Sequence, residues 1–355
     1  MESSSYSKEL ESLRSDLMNL IDRLPTVEHS ELIQQALTTL TRLTETPIDR
    51  LDWKVLTASL RDMERAFGTF YPYRRTRKIT IFGSARVTED SPDYQMAVEF
   101  ARRITQQGFM VITGGGGGIM QAGNQGAGPD QSFGLNIQLP FEQGDNPYIQ
   151  GSSKLVNFKY FFTRKLFFLR ESDALALFPG GFGTQDEAFE CLTLSQTGKS
   201  APVPLVLIEP LGSTYWHDWN EYIVQNLLKG GLISPEDTSL YTITDNVDLA
   251  CQVITSFYLV YHSSRYVGDR LIIRLKTPLS DAQVEELNDQ FSDILVQGRI
   301  EKIATLPQEA PDITIDLPRL ALYFNQRDLG RLYQMLRVIN RMGTPSPAAE
   351  HPERK

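Results

Sequence analysis

Short apolar runs and amphipathic stretches alternate through the middle of the chain. Ile79–Phe82, Met110–Thr113, Phe133–Gln138, Ala174–Phe178 and Pro204–Glu209 are each four to six residues long and mostly apolar. Runs of that length and character predict strands buried on both faces. Between them, stretches such as Asp93–Gln107 and Phe161–Glu171 carry apolar residues at helical spacing. The alternation from Ile79 to about Tyr261 predicts an α/β fold with a doubly wound parallel sheet and helices on both faces. Ligands of such sheets bind at the carboxyl ends of the strands.

The pattern changes towards both ends. Leu10, Leu13, Leu17, Leu20 and Ile21 recur at spacings of three and four, and Pro25 and Pro47 divide residues 4–70 into about three helices. Beyond Val267, Leu271–Leu275 and Leu320–Phe324 read as strands and Ser280–Leu295 and Asp328–Met342 as helices. The expected organisation is an N-terminal helical extension over residues 1–77, the α/β domain over 78–262, a small C-terminal α+β appendage over 263–342 and a disordered tail over 343–355.

The candidate chemistry lies in the loops after the strands. Gly114 to Gly118 follow one strand and enter a helix. Five glycines cost chain entropy and add no packing, but they let a backbone approach a ligand closely. At a helix N-terminus this predicts an anion cradle. Pro179-Gly180-Gly181-Phe182-Gly183-Thr184 repeats the design, and the first strand runs into Gly83-Ser84-Ala85-Arg86. Two familiar phosphate motifs fail. Ile119 stands where a dinucleotide fingerprint needs its third glycine, and Thr193 stands where a Walker loop ending in Gly198-Lys199-Ser200 needs its first. Thr184 and Glu187 also spell a capping box, with Thr184 as N-cap and Glu187 at the third helical position. From the local sequence alone that structural reading competes with a catalytic one. Asp186 reads as a first-turn charge.

Composition narrows the classes. A net charge of −9 argues against binding nucleic acid polymers. Cys191 and Cys251 are too few for a disulfide framework, which fits a reducing, cytoplasmic location. The polar start MESSSYSKELESLR is unlike a secretory leader, and no apolar run approaches the roughly 20 residues that span a bilayer, so no membrane partner is expected. His29, His217, His262 and His351 are scattered and form no metal spacing. With no setting for a pyridoxal lysine either, neither metal nor cofactor is expected.

At the glycine loops the sequence resembles the Lonely Guy family of phosphoribohydrolases. The resemblance rests on Gly114–Gly118 with Ile119-Met120, on Pro179–Glu187 as P-G-G-x-G-T-x-x-E, and on the pair Arg164-Lys165 before the second loop. It covers about Lys78 to Tyr261, and Gly134–Ile149 is similar to the longer bacterial members. It implies a Rossmann-like nucleotide-binding catalytic domain that cleaves the N-glycosidic bond of a nucleoside 5′-monophosphate of purine, pyrimidine or cytokinin type. The products would be a free base and ribose 5-phosphate. It implies Glu187 and Arg164 as catalytic residues. Gly83, Ser84, Gly115, Gly116, Gly117, Lys165, Gly180, Gly181, Gly183 and Thr184 would bind substrate and phosphate. A homodimer or higher homo-oligomer is the implied assembly. The helix N-terminus should favour the ionised form of Glu187. The alternative is a non-catalytic nucleotide sensor using the same pocket; a nicotinamide oxidoreductase is disfavoured by the missing fingerprint.

Overall fold

A computed structural model describes residues 28–137, 144–309 and 314–343, together with residues 12, 15, 16 and 19. Apart from those four, the helix expected before Pro25 lies outside the described residues, as do the tail from residue 344 and positions 138–143 within the Gly134–Ile149 segment. The chain divides between Arg61 and Asp62 into two units. Helix α1 (Ser30–Glu45) belongs to the first, and α2 (Arg50–Phe70) carries the chain from the first into the second.

Seven parallel strands form its main sheet: β1 (Lys78–Phe82), β2 (Met110–Thr113), β3 (Ser132–Ile137), β4 (Leu155–Phe158), β5 (Ala174–Leu177), β6 (Leu205–Ile208) and β7 (Tyr241–Thr244). Their order is β4-β3-β2-β1-β5-β6-β7. The order reverses about β1, with β2 and β5 as its neighbours, so the switch point of the doubly wound sheet lies where the glycine loops begin.

Period-two alternation sends the strand side chains into two cores. Ile79, Ile81, Val111, Ala174, Ala176, Val206 and Ile208 pack with α3 (Pro92–Gln106), α4 (Ile119–Ala127) and α8 (Val247–Phe257). Phe82, Ile112, Phe133, Leu135, Leu175, Leu177 and Leu207 pack with Phe70 of α2, Phe167 and Phe168 of α5 (Phe161–Arg170), Ala188 and Cys191 of α6 (Phe182–Gln196), and Trp216 of α7 (Tyr215–Tyr222). Helices therefore cover both faces, as the apolar runs predict.

The C-terminal region holds a second, antiparallel sheet of β8 (Tyr261–Val267), β9 (Arg270–Leu275), β10 (Leu295–Ile303) and β11 (Arg319–Phe324), ordered β10-β11-β9-β8. Helices α9 (Asp281–Phe291) and α10 (Leu329–Met342) accompany it. Leu271, Ile273, Leu320 and Leu322 join Leu332, Leu336 and Ile339 of α10 in the first of the two cores. The appendage thus continues one core of the parallel sheet. No helix among the described residues is long and apolar enough to cross a membrane.

Candidate active site

Three loops leave the adjacent strands β1, β2 and β5, and Ser84 ties them together. Its N–H donates to the Pro179 carbonyl (3.0 Å), and its own carbonyl accepts from Ile119 N–H (3.0 Å). One residue of the first loop is thereby bonded to the start of the third and to the helix that follows the second. The loops enclose a cavity of about 840 Å³. Gly83, Ser84, Gly116, Arg164, Gly180, Gly181, Gly183, Thr184 and Glu187 line it; Gly115, Gly117 and Lys165 are not part of the lining.

The Gly114–Gly118 loop is stitched down by polar side chains. Thr113 Oγ1 accepts from Gly115 N–H (3.0 Å) and donates to Asn124 Oδ1 (2.8 Å). Asn146 Nδ2 donates to the Gly116 carbonyl (3.0 Å) and to Asn124 Oδ1 (2.9 Å), and its N–H reaches the Gly115 carbonyl (2.9 Å). Gly118 has φ +62°, and a methyl group there would strike the carbonyl of Ser84. At Gly114 a methyl group would strike the Arg164 guanidinium.

Helix α5 aims Arg164 at this loop. Asp62, buried on α2, caps the start of α5 by accepting from Lys159 N–H (3.0 Å) and Thr163 Oγ1 (2.8 Å). One turn on, Arg164 Nε donates to the Leu135 carbonyl (2.6 Å) and Nη2 to the Gly114 carbonyl (3.3 Å), with the guanidinium over the Phe168 ring. Arg164 therefore clamps β3 to the residue that follows β2. Lys165 points elsewhere. It bonds Glu190, lies 2.9 Å from Asp186 and stands 3.9 Å from Glu187. Burial would lower its pKa, but hydrogen bonds to Asp186 and Glu190 and the charge of Glu187 hold it above the ordinary lysine value.

The second loop departs from the capping-box expectation. Helix α6 begins at Phe182 with Gly181 as its N-cap, and both Thr184 and Gln185 donate N–H to the Gly181 carbonyl (3.1 Å each). Thr184 is buried against Gly180, where a methyl group would collide with its hydroxyl. The Thr184 side chain fills the space that Gly180 leaves, so the helix starts earlier and Glu187 falls in its second turn. Its ionisation differs from the expectation too. Burial pushes the Glu187 carboxyl up to about 7; Lys165 opposes this, Glu190 and Asp186 add to it, and Arg164 opposes it weakly. Desolvation outweighs the helix dipole, whose effect fades beyond the first turn. The Glu187 side chain is 12% exposed, and its Oε2 is buried with no hydrogen-bond partner among the described residues.

The structure adds residues that the motifs do not single out. Arg86, Asn136, Phe161 and Gln185 line the cavity. Tyr215, the first residue of α7, donates its hydroxyl to the Gly180 carbonyl (2.5 Å) and accepts from Gln185 Nε2 (2.6 Å). Arg86 was legible as the end of a strand-terminal Gly-Ser-Ala-Arg run. Tyr215, distant in sequence from both glycine loops, gave no signal. Among the described residues no group of three or more His, Cys, Asp or Glu is placed to hold a metal ion.

Comparison with known proteins bears on the same region. A family model described as "Possible lysine decarboxylase" matches residues 117–254. No curated protein matches the chain. Among solved structures, the structural-genomics target TM1055 is 24% identical over 50% of this chain and 98% of its own, with a TM-score of 0.37. A molybdenum cofactor binding protein from the phototrophic bacterium Rippkaea orientalis is 19% identical over 51% and 97%, with a TM-score of 0.36. The molybdenum cofactor carrier protein of Chlamydomonas reinhardtii is 19% identical over 51% and 97%, with a TM-score of 0.37. The residues matched by the family model hold the Arg164-Lys165 pair and the whole of Pro179–Glu187, so the match falls on the motifs that carry the resemblance to the Lonely Guy family.

Proposed function

We propose that the cavity hydrolyses the N-glycosidic bond of a nucleoside 5′-monophosphate, releasing a free base and ribose 5-phosphate. The observation that carries this reading is Glu187: a nearly buried carboxyl, pushed up to about 7, facing a cavity where two helices begin after glycine loops. First-turn N–H groups lack intrahelical acceptors, and the first-turn residues Phe182 and Gly183 line the cavity. They suit a phosphate. The volume of about 840 Å³ lies within the range of about 300–1,000 Å³ for small-molecule sites.

Glycosidic cleavage builds positive charge on the sugar. As a carboxylate, Glu187 stabilises that charge and takes a proton from the attacking water. The water oxygen bonds to C1′ as the C1′–N bond breaks; the bond electrons leave with the base, which takes a proton from solvent, while Glu187 returns the proton it took from water to solvent. A general base works best with a pKa near the working pH. Arg164 acts by holding β3 and the glycine loop after β2 in place around the substrate.

The test is incubation with a panel of nucleoside monophosphates and chromatography of the released bases. Base release from at least one monophosphate, with the matching nucleoside far slower, is the expected result. No release from any member, or equal rates for AMP and adenosine, would overturn the reading. We also propose that the active species is a homo-oligomer. Phe161, Phe162 and Leu166 of α5 and Phe182 and Phe189 of α6 are exposed apolar side chains, Phe161 and Phe182 of them at the cavity. Light scattering should give at least a dimer at micromolar concentration.

A further inference from the structure

We propose that Arg86 is the cation that receives the substrate phosphate, an assignment that rests on the monophosphate reading above. A phosphomonoester brings about −1.5 to −2 at neutral pH. The cavity wall already carries the carboxyl groups of Asp186 and Glu187. Without a cation, backbone N–H groups alone would have to hold the dianion beside them.

The two cations of the family signature are occupied. Arg164 spends Nε and Nη2 on the carbonyls of Leu135 and Gly114. Lys165 is not part of the cavity lining and is clasped by Asp186 and Glu190. Arg86 differs from both. It lines the cavity, it is exposed, and no carboxylate among the described residues pairs with it. In an acidic chain, exposed arginines readily find carboxylates: Arg102 pairs with Glu99, Arg170 with Glu171 and Arg299 with Glu285.

The backbone around Arg86 is fixed. Its N–H donates to Ser84 Oγ (3.1 Å), which closes a local turn. The main chain of Ser84 is bonded to Pro179, at the start of the second glycine loop, and to Ile119, the first residue of α4. The side chain therefore leaves the main chain where the two helix N-termini converge. A guanidinium there can meet two phosphate oxygens at once, which a lysine cannot match in geometry.

The test is calorimetric titration of wild type, R86Q and R86K with AMP, adenosine and inorganic phosphate. Wild type should bind AMP more tightly than adenosine. R86Q should weaken AMP binding by about 10–100-fold and leave adenosine unchanged. R86K should fall between, keeping charge without the fork. Melting temperatures should stay level, because Arg86 has no ion pair to lose. An AMP preference that survives R86Q within about twofold overturns the assignment and leaves the monophosphate reading standing. Equal binding of AMP and adenosine by wild type overturns both. An AMP preference that needs Arg86, in a protein that releases no base, upholds the assignment and overturns the hydrolase reading alone.

Discussion

The loop 114–118 and the loop 179–184 each follow a parallel strand and open a helix, yet they keep their glycines for different reasons. In the first, Gly114, Gly116 and Gly118 are walled in by Arg164, Met120 and Ser84, and the carbonyls of Gly115 and Gly116 are taken by Asn146. Its glycines answer to the protein's own packing. In the second, only Gly180 is confined, by Thr184 and Ser84, while a methyl group at Gly181 or Gly183 would meet nothing within 4 Å. Nothing inside the folded chain requires glycine at those two positions. A glycine motif in sequence thus mixes two demands, and only the second loop keeps backbone open on the side where Glu187 stands.

The largest expected effect falls on Glu187. Glu187→Gln keeps the shape of the side chain and removes its charge. Turnover should drop at least about 100-fold, the scale of a lost general base. In wild type, kcat/KM should fall as pH drops through about 7, where the carboxyl takes up its proton, and the variant should lack that limb. Stability should move the opposite way. A carboxyl whose folded pKa lies above the ordinary value of 4.5 binds its proton more tightly when folded, so folding loses stability as pH rises from about 4.5 to about 7. Gln has no such loss. Above pH 7 the variant should be the more stable protein, by on the order of 3 kcal/mol, with the gap closing near pH 4. Melting curves from pH 4 to 8 beside turnover check both halves. A near-wild-type rate with no pH-dependent gap would place Glu187 outside the chemistry and the second loop on the same footing as the first.

The contrast between the loops can be broken directly with alanine. Gly118→Ala puts a side chain at φ +62° and against the Ser84 carbonyl. It should cost about 2 kcal/mol or more of stability. Gly183→Ala sits in the first turn of α6 with open space around it. Its stability should stay within about 1 kcal/mol of wild type, on the stabilising side, as for Gly to Ala in helices. AMP binding by Gly183→Ala should nevertheless weaken about tenfold if that backbone meets the phosphate. Equal melting points for the two variants would erase the distinction.

Much of the architecture is legible from the apolar runs, and what they miss has one physical cause. The strands β1, β2, β3, β5 and β6 are interior to their sheet, and their buried residues make the runs continuous. The overlooked strands β4, β7, β8 and β10 are the edges of the two sheets. An edge strand is half exposed, so Leu155-Val156-Asn157-Phe158 and Tyr241-Thr242-Ile243-Thr244 mix polar with apolar residues and lack a clear run. At the site, the motifs locate Glu187, Arg164 and the loops. They cannot tell that Thr184 packs under Gly180 instead of capping the helix, or that burial governs the Glu187 carboxyl. Local sequence carries propensity; desolvation and side-chain direction arise only once distant segments meet.

The smallest expected effect concerns what holds the second loop, since tight glycine packing does not hold all of it. Tyr215 is the candidate. Its hydroxyl donates to the Gly180 carbonyl (2.5 Å) and accepts from Gln185 Nε2 (2.6 Å), bridging the strand side of the loop to the first turns of α6. Tyr215→Phe deletes both bonds and keeps the ring, which packs edge-on against Trp216. One neutral hydrogen bond contributes about 1 kcal/mol, so the fold should survive with a small drop in melting temperature. A role in positioning predicts more than that drop. The KM for a nucleoside monophosphate should rise about three- to tenfold while kcat changes less, because the loosened loop shapes the phosphate end of the cavity and leaves Glu187 in place. Gly114→Ala serves as the comparison, since a disturbed first loop also shifts the Arg164 clamp and should lower kcat along with stability. A fall in melting temperature with KM unchanged would make Tyr215 a packing residue, and the second loop would then be as firmly held by its own backbone as the first.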